Sequence, residues 1–499
     1  MCGVIGVIGN EENSEAAKEA FLGLITLQHR GQDAAGILSY DFAESNGVQS
    51  FHHAKNLGLV ENVFTRPVIE SLRGSVAIGH TRYATIGRGN VADVQPFMLN
   101  YPYGIGIVHN GNIVNYGEVK QRLAKDMHRM SMTSSDSETI LNWLAHHIEG
   151  TSFKHLEKAV HSIFENIHGA YSIAGILGEG GLFAFRDPMG IRPLVLGKKK
   201  LSNGKFGYMV ASETVPLHFM GYEFDRSVQP GELIYINRDL ELTSSVYQGK
   251  NVEPRPCMFE WVYFSSAESE IENTPVYGAR LELGHQLADR IAVEMKAGRL
   301  QADLVAPVPD TSRTAASGLA ERLGLPYREV LIKNRYIKRT FILNSQKNRE
   351  EAVDLKLNPV VSEIKGKTVI LVDDSIVRGT TSRKIIQLVR RAGAKKVYFV
   401  STCPPIRFPC YYGFDFPEQN ELIAAGPNGS RTEEEITKML DADGVFYQTL
   451  DSLGNALSKC SLGLVKNPCT ACLTGKYPTD MKGAAELTAL RRTDRGKSE

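Results

Sequence analysis

Cysteine is scarce: seven residues in a chain of 499, at positions 2, 257, 403, 410, 460, 469 and 472. An odd, thin set of this kind is not a disulfide framework, so metal binding or catalysis is the better expectation, with inert buried thiols as the alternative. Excess charge is also missing. The 57 Lys and Arg stand against 56 Asp and Glu, which withholds the electrostatic footprint of a general nucleic-acid binder. No apolar run approaches the roughly 18 residues of a membrane span, and Val4 to Ile8 is too short, and lacks the basic flank, to be a signal peptide. These absences predict a cytoplasmic protein with no nucleic-acid or membrane partner. What is present, 42% hydrophobic residues and 46 glycines, excludes a wholly disordered, collagenous or coiled-coil chain. The length calls for two or three domains.

The first half, to about Asn237, holds short apolar runs broken by glycine at 2–8, 75–79, 104–108, 170–177, 181–185 and 194–196. They read as strands of an antiparallel, sheet-rich unit. Two helices punctuate it: one over about 15–29 with Ser14 as N-cap and Gly31 past its end, the other over about 136–149 after Ser134 and Ser135. That pattern is α+β. Periodicity weakens between Asp239 and Pro256; from Ser265 helices and strands alternate at 279–295, 304–307, 314–323, 368–372, 383–391 and 397–400. Alternation predicts an α/β unit on a parallel sheet. The expected divisions are 2–240, 250–480 and a charged tail, 481–499, frayed at its end.

The clearest constellation runs from Val369 through Asp373, Asp374, Ser375, Arg378, Gly379, Thr380, Thr381 and Ser382: an apolar strand, two acids, a short loop and a helix start. At the carboxyl edge of a parallel sheet such a loop binds ligands. Gly379 permits close backbone approach, and the hydroxyls and amides after it suit a phosphate at a helix N-terminus. The two acids suit ribose hydroxyls or a hydrated Mg2+. This string resembles the phosphoribosyl pyrophosphate (PRPP) motif of type I phosphoribosyltransferases. A second loop, Ala306 to Ser312, and a cationic stretch from Lys333 to Thr340 accompany it.

Cys2 follows Met1 directly, and so small a residue permits removal of the methionine by an aminopeptidase alone. A thiol and an α-amine would then share one residue, the amine serving as proton acceptor near its ordinary pKa of about 7.7 to 8.0. The segments 2–6, 27–36, 79–85, 109–112 and 134–138 together resemble the N-terminal-nucleophile (Ntn) glutamine amidotransferase domain. The resemblance implies that Arg82 holds the glutamine carboxylate, Asp136 its amino group, and Asn110 with the Gly111 amide the oxyanion. His29, His80 and His109 are expected to be structural rather than general bases.

Joined, the halves resemble the glutamine PRPP amidotransferase family over about 2–480, which implies an Ntn sandwich followed by a type I phosphoribosyltransferase domain. The implied reaction converts glutamine, PRPP and water to 5-phosphoribosylamine, pyrophosphate and glutamate, the first committed step of purine synthesis. Implied for PRPP are the Asp373–Ser382 loop with Lys333 and Arg339, one Mg2+ per subunit at Thr311, Asp373 and Asp374, and closure of the 333–358 segment over the substrate. Purine nucleotide feedback inhibitors and a dimer or tetramer are implied too.

Cys469 and Cys472 form a C-x-x-C pair that needs two further ligands, for which Cys257 and Cys410 are candidates; spacing leaves zinc and iron open. Resemblance to the iron-sulfur branch implies a structural [4Fe-4S] cluster on these four, leaving Cys403 and Cys460 unliganded. Two departures bear on PRPP: Ser266-Ala-Glu-Ser269 replaces the usual Arg-Pro-Asp-Ser, and Asp354 an expected arginine. Rival readings are another glutamine-dependent enzyme, which has no reason to carry the Asp373–Ser382 string, and a non-catalytic purine sensor, which has no reason to keep Cys2, Arg82, Asn110 and Asp136.

Overall fold

In the first half, alternation along single strands dictates a layered sandwich. On strand β1 (Gly3–Ile8), Val4 and Ile8 join one apolar core while Ile5 and Val7 join another, as a period of two requires. The computed structural model describes residues 2–9, 16–45, 48–84, 90–249, 253–334, 357–426 and 429–496.

Thirteen strands are described there: β2 (Ala34–Ser45), β3 (Val48–Leu57), β4 (Val76–Arg82), β5 (Phe97–Leu99), β6 (Ile105–Ile113), β7 (Gly169–Leu177), β8 (Gly181–Arg186), β9 (Val195–Lys200), β10 (Phe206–Ala211), β11 (Glu223–Ser227), β12 (Glu232–Asn237) and β13 (Leu242–Val246) follow β1. They form two sheets, β11-β9-β10-β1-β4-β2-β3 and β13-β12-β8-β7-β6-β5, whose neighbouring strands pair antiparallel. Val4, Ile78, Val108, Ala174 and Val210 pack between the sheets. The helix Ala16–Thr26 covers the outer face of the first sheet, and the helices Asp136–His147 and Phe153–Asn166 that of the second. The expected α+β sandwich is therefore present, with more strands than the apolar runs disclose. β13 carries the second sheet past the anticipated loss of order at Asp239 by pairing with β12. The proposed cap Ser14 lies outside the described residues.

The second half contains two small hairpins, β14 (Glu270–Ile271) with β15 (Thr274–Pro275) and β17 (Leu331–Lys333) with β18 (Leu357–Pro359). Its main sheet is β16 (Leu304–Pro307), β19 (Thr368–Asp373), β20 (Lys396–Ser401) and β21 (Gly444–Tyr447), parallel throughout and adjacent in that order. Apolar clusters cover both faces, as a parallel sheet with crossover helices demands. The helix Arg313–Leu323 ends on Gly324 in the left-handed conformation, as its sequence predicts. A π-helical turn, Glu260–Phe264, and a core of Met258, Trp261, Tyr412 and Phe414 join the halves.

The tail departs from expectation. Ala484–Gly496 form a helix, with Leu487 and Arg491 buried. Leu487, Leu490 and Arg491 share one face at helical spacing, so this part of the tail docks on the body, while its end, 497–499, lies outside the described residues.

Candidate active site

Cys2 stands at the edge of the sandwich, where β1 lies beside β4 and close to the end of β6. Its backbone N–H donates to Asn110 Oδ1 at 3.2 Å. Asn110 is fully buried, and its Nδ2 has no partner. An unmade buried donor costs about 1–3 kcal/mol, which a developing oxyanion beside Cys2 would recover. Gly111 follows with φ 152°, and a Cβ there would sit 1.9 Å from the Ala170 carbonyl oxygen, so only glycine fits.

These residues open on a cavity of about 280 Å3 whose wall includes Cys2, Arg82, Gly111, Tyr116 and Asp136. The cation and the carboxylate share it, as needed to grip both charged ends of an amino acid. Asp136 accepts from the Ile113 N–H at 3.1 Å and lies 3.6 Å from His109 Nδ1. Burial would raise its pKa, but His109 and the backbone amides hold it below the ordinary value. His109 also meets Ser137 Oγ at 3.1 Å, His29 meets Glu213 at 2.8 Å, and His80 is buried, with burial pushing its pKa well down. Leu487, Leu490 and Thr493 of the C-terminal helix complete the wall, a contribution that the sequence analysis missed although the helical spacing was there to find.

A buried ion network leads away from this cavity. Arg30 donates to the Cys2 carbonyl at 3.0 Å, to Glu213, and to Glu260 at 3.0 Å. Ser266 N–H and Ser269 Oγ also donate to Glu213, at 2.9 and 2.6 Å. The cation absent at position 266 therefore leaves no bare carboxylate here. Arg192 meets Glu260 at 3.5 Å and donates to the Tyr412 carbonyl. Asn112 Nδ2 donates to the Tyr411 carbonyl at 3.1 Å, so β6, which carries Asn110 and Gly111, touches the second half directly.

At the carboxyl end of β19, Asp373 accepts from Ser312 Oγ at 3.3 Å and Asp374 from Ser375 Oγ at 2.7 Å. The Thr311 hydroxyl also bonds Asp374, and the positive charge of Arg280 favours its ionised form. Burial, and for Asp373 the neighbouring carboxylate, raise both pKa values. Gly379 is left-handed (φ 79°) and begins the helix Thr380–Arg391, which presents Thr380, Thr381 and Ser382 in its first turn. Two expected cations have acidic partners: Arg378 pairs with Glu421 at 2.6 Å, and Lys333 with Asp310 at 2.6 Å. Arg339 and Asp354 lie outside the described residues, as does most of the segment expected to close over PRPP.

Cys257, Cys410, Cys469 and Cys472 are all buried in the core that joins the halves. Cys257 and Cys469 form a β-bridge. Burial raises the Cys257 thiol to about 11, with the Cys410 thiol adding to the rise. Burial also pushes Cys472 well up, reinforced by Cys403, Cys410, Cys257 and Cys469. Among the described residues, no three His, Cys, Asp or Glu side chains converge in a metal-holding arrangement. No helix described is long and apolar enough to cross a membrane.

The glutamine amidotransferase domain family matches residues 80–218, and the phosphoribosyl transferase domain family residues 281–412. The chain is 42% identical to the amidophosphoribosyltransferase of Haemophilus influenzae over 506 residues, covering 100% of this chain and 97% of that protein. It is 39% identical to that of Saccharomyces cerevisiae over 491 residues, covering 97% and 93%. Among solved structures, glutamine PRPP amidotransferase from B. subtilis, complexed with ADP and GMP, superimposes with a TM-score of 0.82 at 36% identity, covering 96% of this chain and 98% of that one.

Proposed function

The chain belongs to the amidophosphoribosyltransferase family, and from that premise we propose how its residues divide the work of making 5-phosphoribosylamine, pyrophosphate and glutamate from PRPP, glutamine and water. One observation carries the reading: Cys2 sits hydrogen-bonded to Asn110 Oδ1, Asn110 Nδ2 is buried without a partner, and Cys2 lines a cavity shared by Arg82 and Asp136.

Once Met1 is removed, the Cys2 amine stays oriented by Asn110 Oδ1 and takes the proton from its own thiol. Arg82 binds the carboxylate of glutamine and Asp136 its ammonium group. Sulfur attacks the side-chain amide carbon, and Asn110 Nδ2 and the Gly111 N–H stabilise the oxyanion. The C–N bond breaks, the amine returns the proton, and ammonia leaves. Water then cleaves the thioester to give glutamate and the free thiol.

Ammonia must reach the second site unprotonated, because ammonium has no lone pair. The contact of Asn112 with Tyr411 brings the two halves together beside the place of release. The loop Asp373–Ser382 cradles the 5-phosphate and ribose of PRPP, with Lys333 and Arg339 toward the pyrophosphate. Ammonia attacks ribose C1 and pyrophosphate departs, completing the first committed step of purine synthesis.

The oxygen donors of Thr311, Asp373 and Asp374 fit one Mg2+ per subunit, because a half-buried and a buried carboxylate stand side by side, with Arg280 as a cation acting on Asp374. When bound, the ion offsets charge on the pyrophosphate. Cys257, Cys410, Cys469 and Cys472 share one buried core and offer the all-sulfur donor set that a structural [4Fe-4S] cluster takes, and they would have to draw together from their present positions to hold it. It would fasten the segment after Lys466 to the junction. The ADP and GMP in the B. subtilis complex support purine nucleotides as inhibitors here, acting on a cytoplasmic dimer or tetramer.

A Cys2→Ala variant tests the division of labour. It should lose glutamine-dependent phosphoribosylamine formation and keep the ammonia-dependent reaction. Retained use of glutamine would remove Cys2 from its assigned role.

A further inference from the structure

A cavity of about 660 Å3 lies beyond the carboxyl ends of β20 and β21, and it shares no wall with the glutamine cavity or the Asp373–Ser382 loop. Its wall carries three arginines, Arg290, Arg407 and Arg431, against one carboxylate, Glu433. Arg290 pairs with Glu433 at 2.6 Å, which leaves two cations in surplus. Arg431 directs its Nη1 to the carbonyls of Ile423 and Ala425, at 2.8 and 2.6 Å, so the guanidinium is held in place while its charge is not neutralised.

Buried polar atoms on the same wall lack partners. The Tyr447 hydroxyl and Gln448 Oε1 belong to residues only 1% exposed, and neither has a hydrogen bond; nor does Arg407 Nε. Each such group costs about 1–3 kcal/mol unless something meets it. Two helices, Glu433–Leu440 and Leu450–Cys460, also begin at the cavity, with Thr432 and Thr449 as caps, and Glu433, Glu434 and Glu435 in the first turn of one and Asp451 in that of the other offset their positive ends. Phe408, Leu450 and Leu473 supply apolar wall.

We propose that this cavity binds a phosphate monoester with an apolar or aromatic body, its phosphate seated between Arg407 and Arg431 and accepting from the Tyr447 hydroxyl. Guanidinium forks and a hydroxyl donor match a dianion with three acceptor oxygens. The site reaches both functional regions of the second half. Ile423, whose carbonyl Arg431 holds, donates its N–H to Val377 at 2.9 Å, and it packs where a Cβ on Gly379 would stand. On the other side, the Arg407 and Phe408 N–H groups both donate to the Cys472 carbonyl at 3.0 Å. Occupancy would therefore shift the PRPP requirement.

Titration calorimetry of the full-length protein with inorganic phosphate tests this. Thr381→Val weakens the phosphate loop, and in that background one phosphate should still bind. Adding Arg407→Gln should weaken the remaining site about tenfold, and adding Tyr447→Phe about threefold, while the thermal midpoint stays that of the Thr381→Val parent. Absence of any phosphate binding in Thr381→Val protein, or a remaining site indifferent to both added substitutions, would overturn the proposal.

Discussion

Arg30 donates to the carbonyl oxygen of Cys2 at 3.0 Å, tying the backbone of the proposed nucleophile to a guanidinium that is wholly buried. The same group pairs with Glu213 from the sandwich and Glu260 from the junction. The position of the thiol and the seam between the halves thus depend on one side chain.

Replacing that side chain should damage both. Arg30→Gln leaves Glu213 and Glu260 buried with too little positive charge, at a cost of roughly 3–5 kcal/mol. Denaturant unfolding should show the loss, and glutamine-dependent turnover should fall further than ammonia-dependent turnover. Wild-type stability in Arg30→Gln would mean that the network contributes nothing to the fold.

Glu213 sets a pH dependence. Burial alone would raise its pKa, but His29 and Arg30 outweigh burial and hold it well below the ordinary glutamate value of about 4.5. Since the folded value lies below the unfolded one, its contribution is complete above about pH 4.5 and drains away as pH falls toward the folded value. Thermal midpoints measured from pH 6 to pH 3 should therefore decline more steeply for the wild type than for Glu213→Gln. Parallel curves would contradict this.

The second half was the more legible in sequence where strand, loop and helix are specified locally, although the short strands β14, β15, β17, β18 and β21 went unanticipated. Apolar runs give the strands Leu304–Pro307 and Thr368–Asp373, and Gly324 closes its helix. In the sandwich, the long β2–β3 hairpin was missed. β3 is an edge strand whose residues include Gln49, Ser50, His52, His53 and Lys55, so pairing with β2, rather than a hydrophobic pattern, makes it a strand. Cys2, Arg82, Asn110 and Asp136 lie far apart in sequence and meet at one site, a placement that came from the family resemblance and not from periodicity. Arg30, Glu213 and Glu260 escaped notice because their pairing spans 183 and 230 residues, and only the tertiary fold brings them together.

Gly379 offers a test confined to the loop proposed to bind PRPP. An alanine there would carry φ 79° at about 1–2 kcal/mol, and its Cβ would stand 2.4 Å from Ile423 Cδ1. Gly379→Ala should raise the KM for PRPP and slow the glutamine- and ammonia-dependent reactions alike. An unchanged KM for PRPP would detach this glycine from substrate binding.

The C-terminal helix should matter to glutamine. Leu490→Asp places a carboxylate at the wall of the cavity that holds Asp136, where it would repel the substrate carboxylate and loosen the helix. The KM for glutamine should rise several-fold with the ammonia-dependent rate preserved; steady-state kinetics with each nitrogen donor will show whether it does.

The most direct test concerns the end of the chain. Protein produced with and without methionine aminopeptidase can be assigned by intact mass and assayed for PRPP-dependent glutamine consumption. Turnover should track the fraction that begins at Cys2, while ammonia-dependent synthesis is the same in both preparations. Full glutamine turnover by protein that retains Met1 would contradict a mechanism in which the amine of Cys2 activates its own thiol.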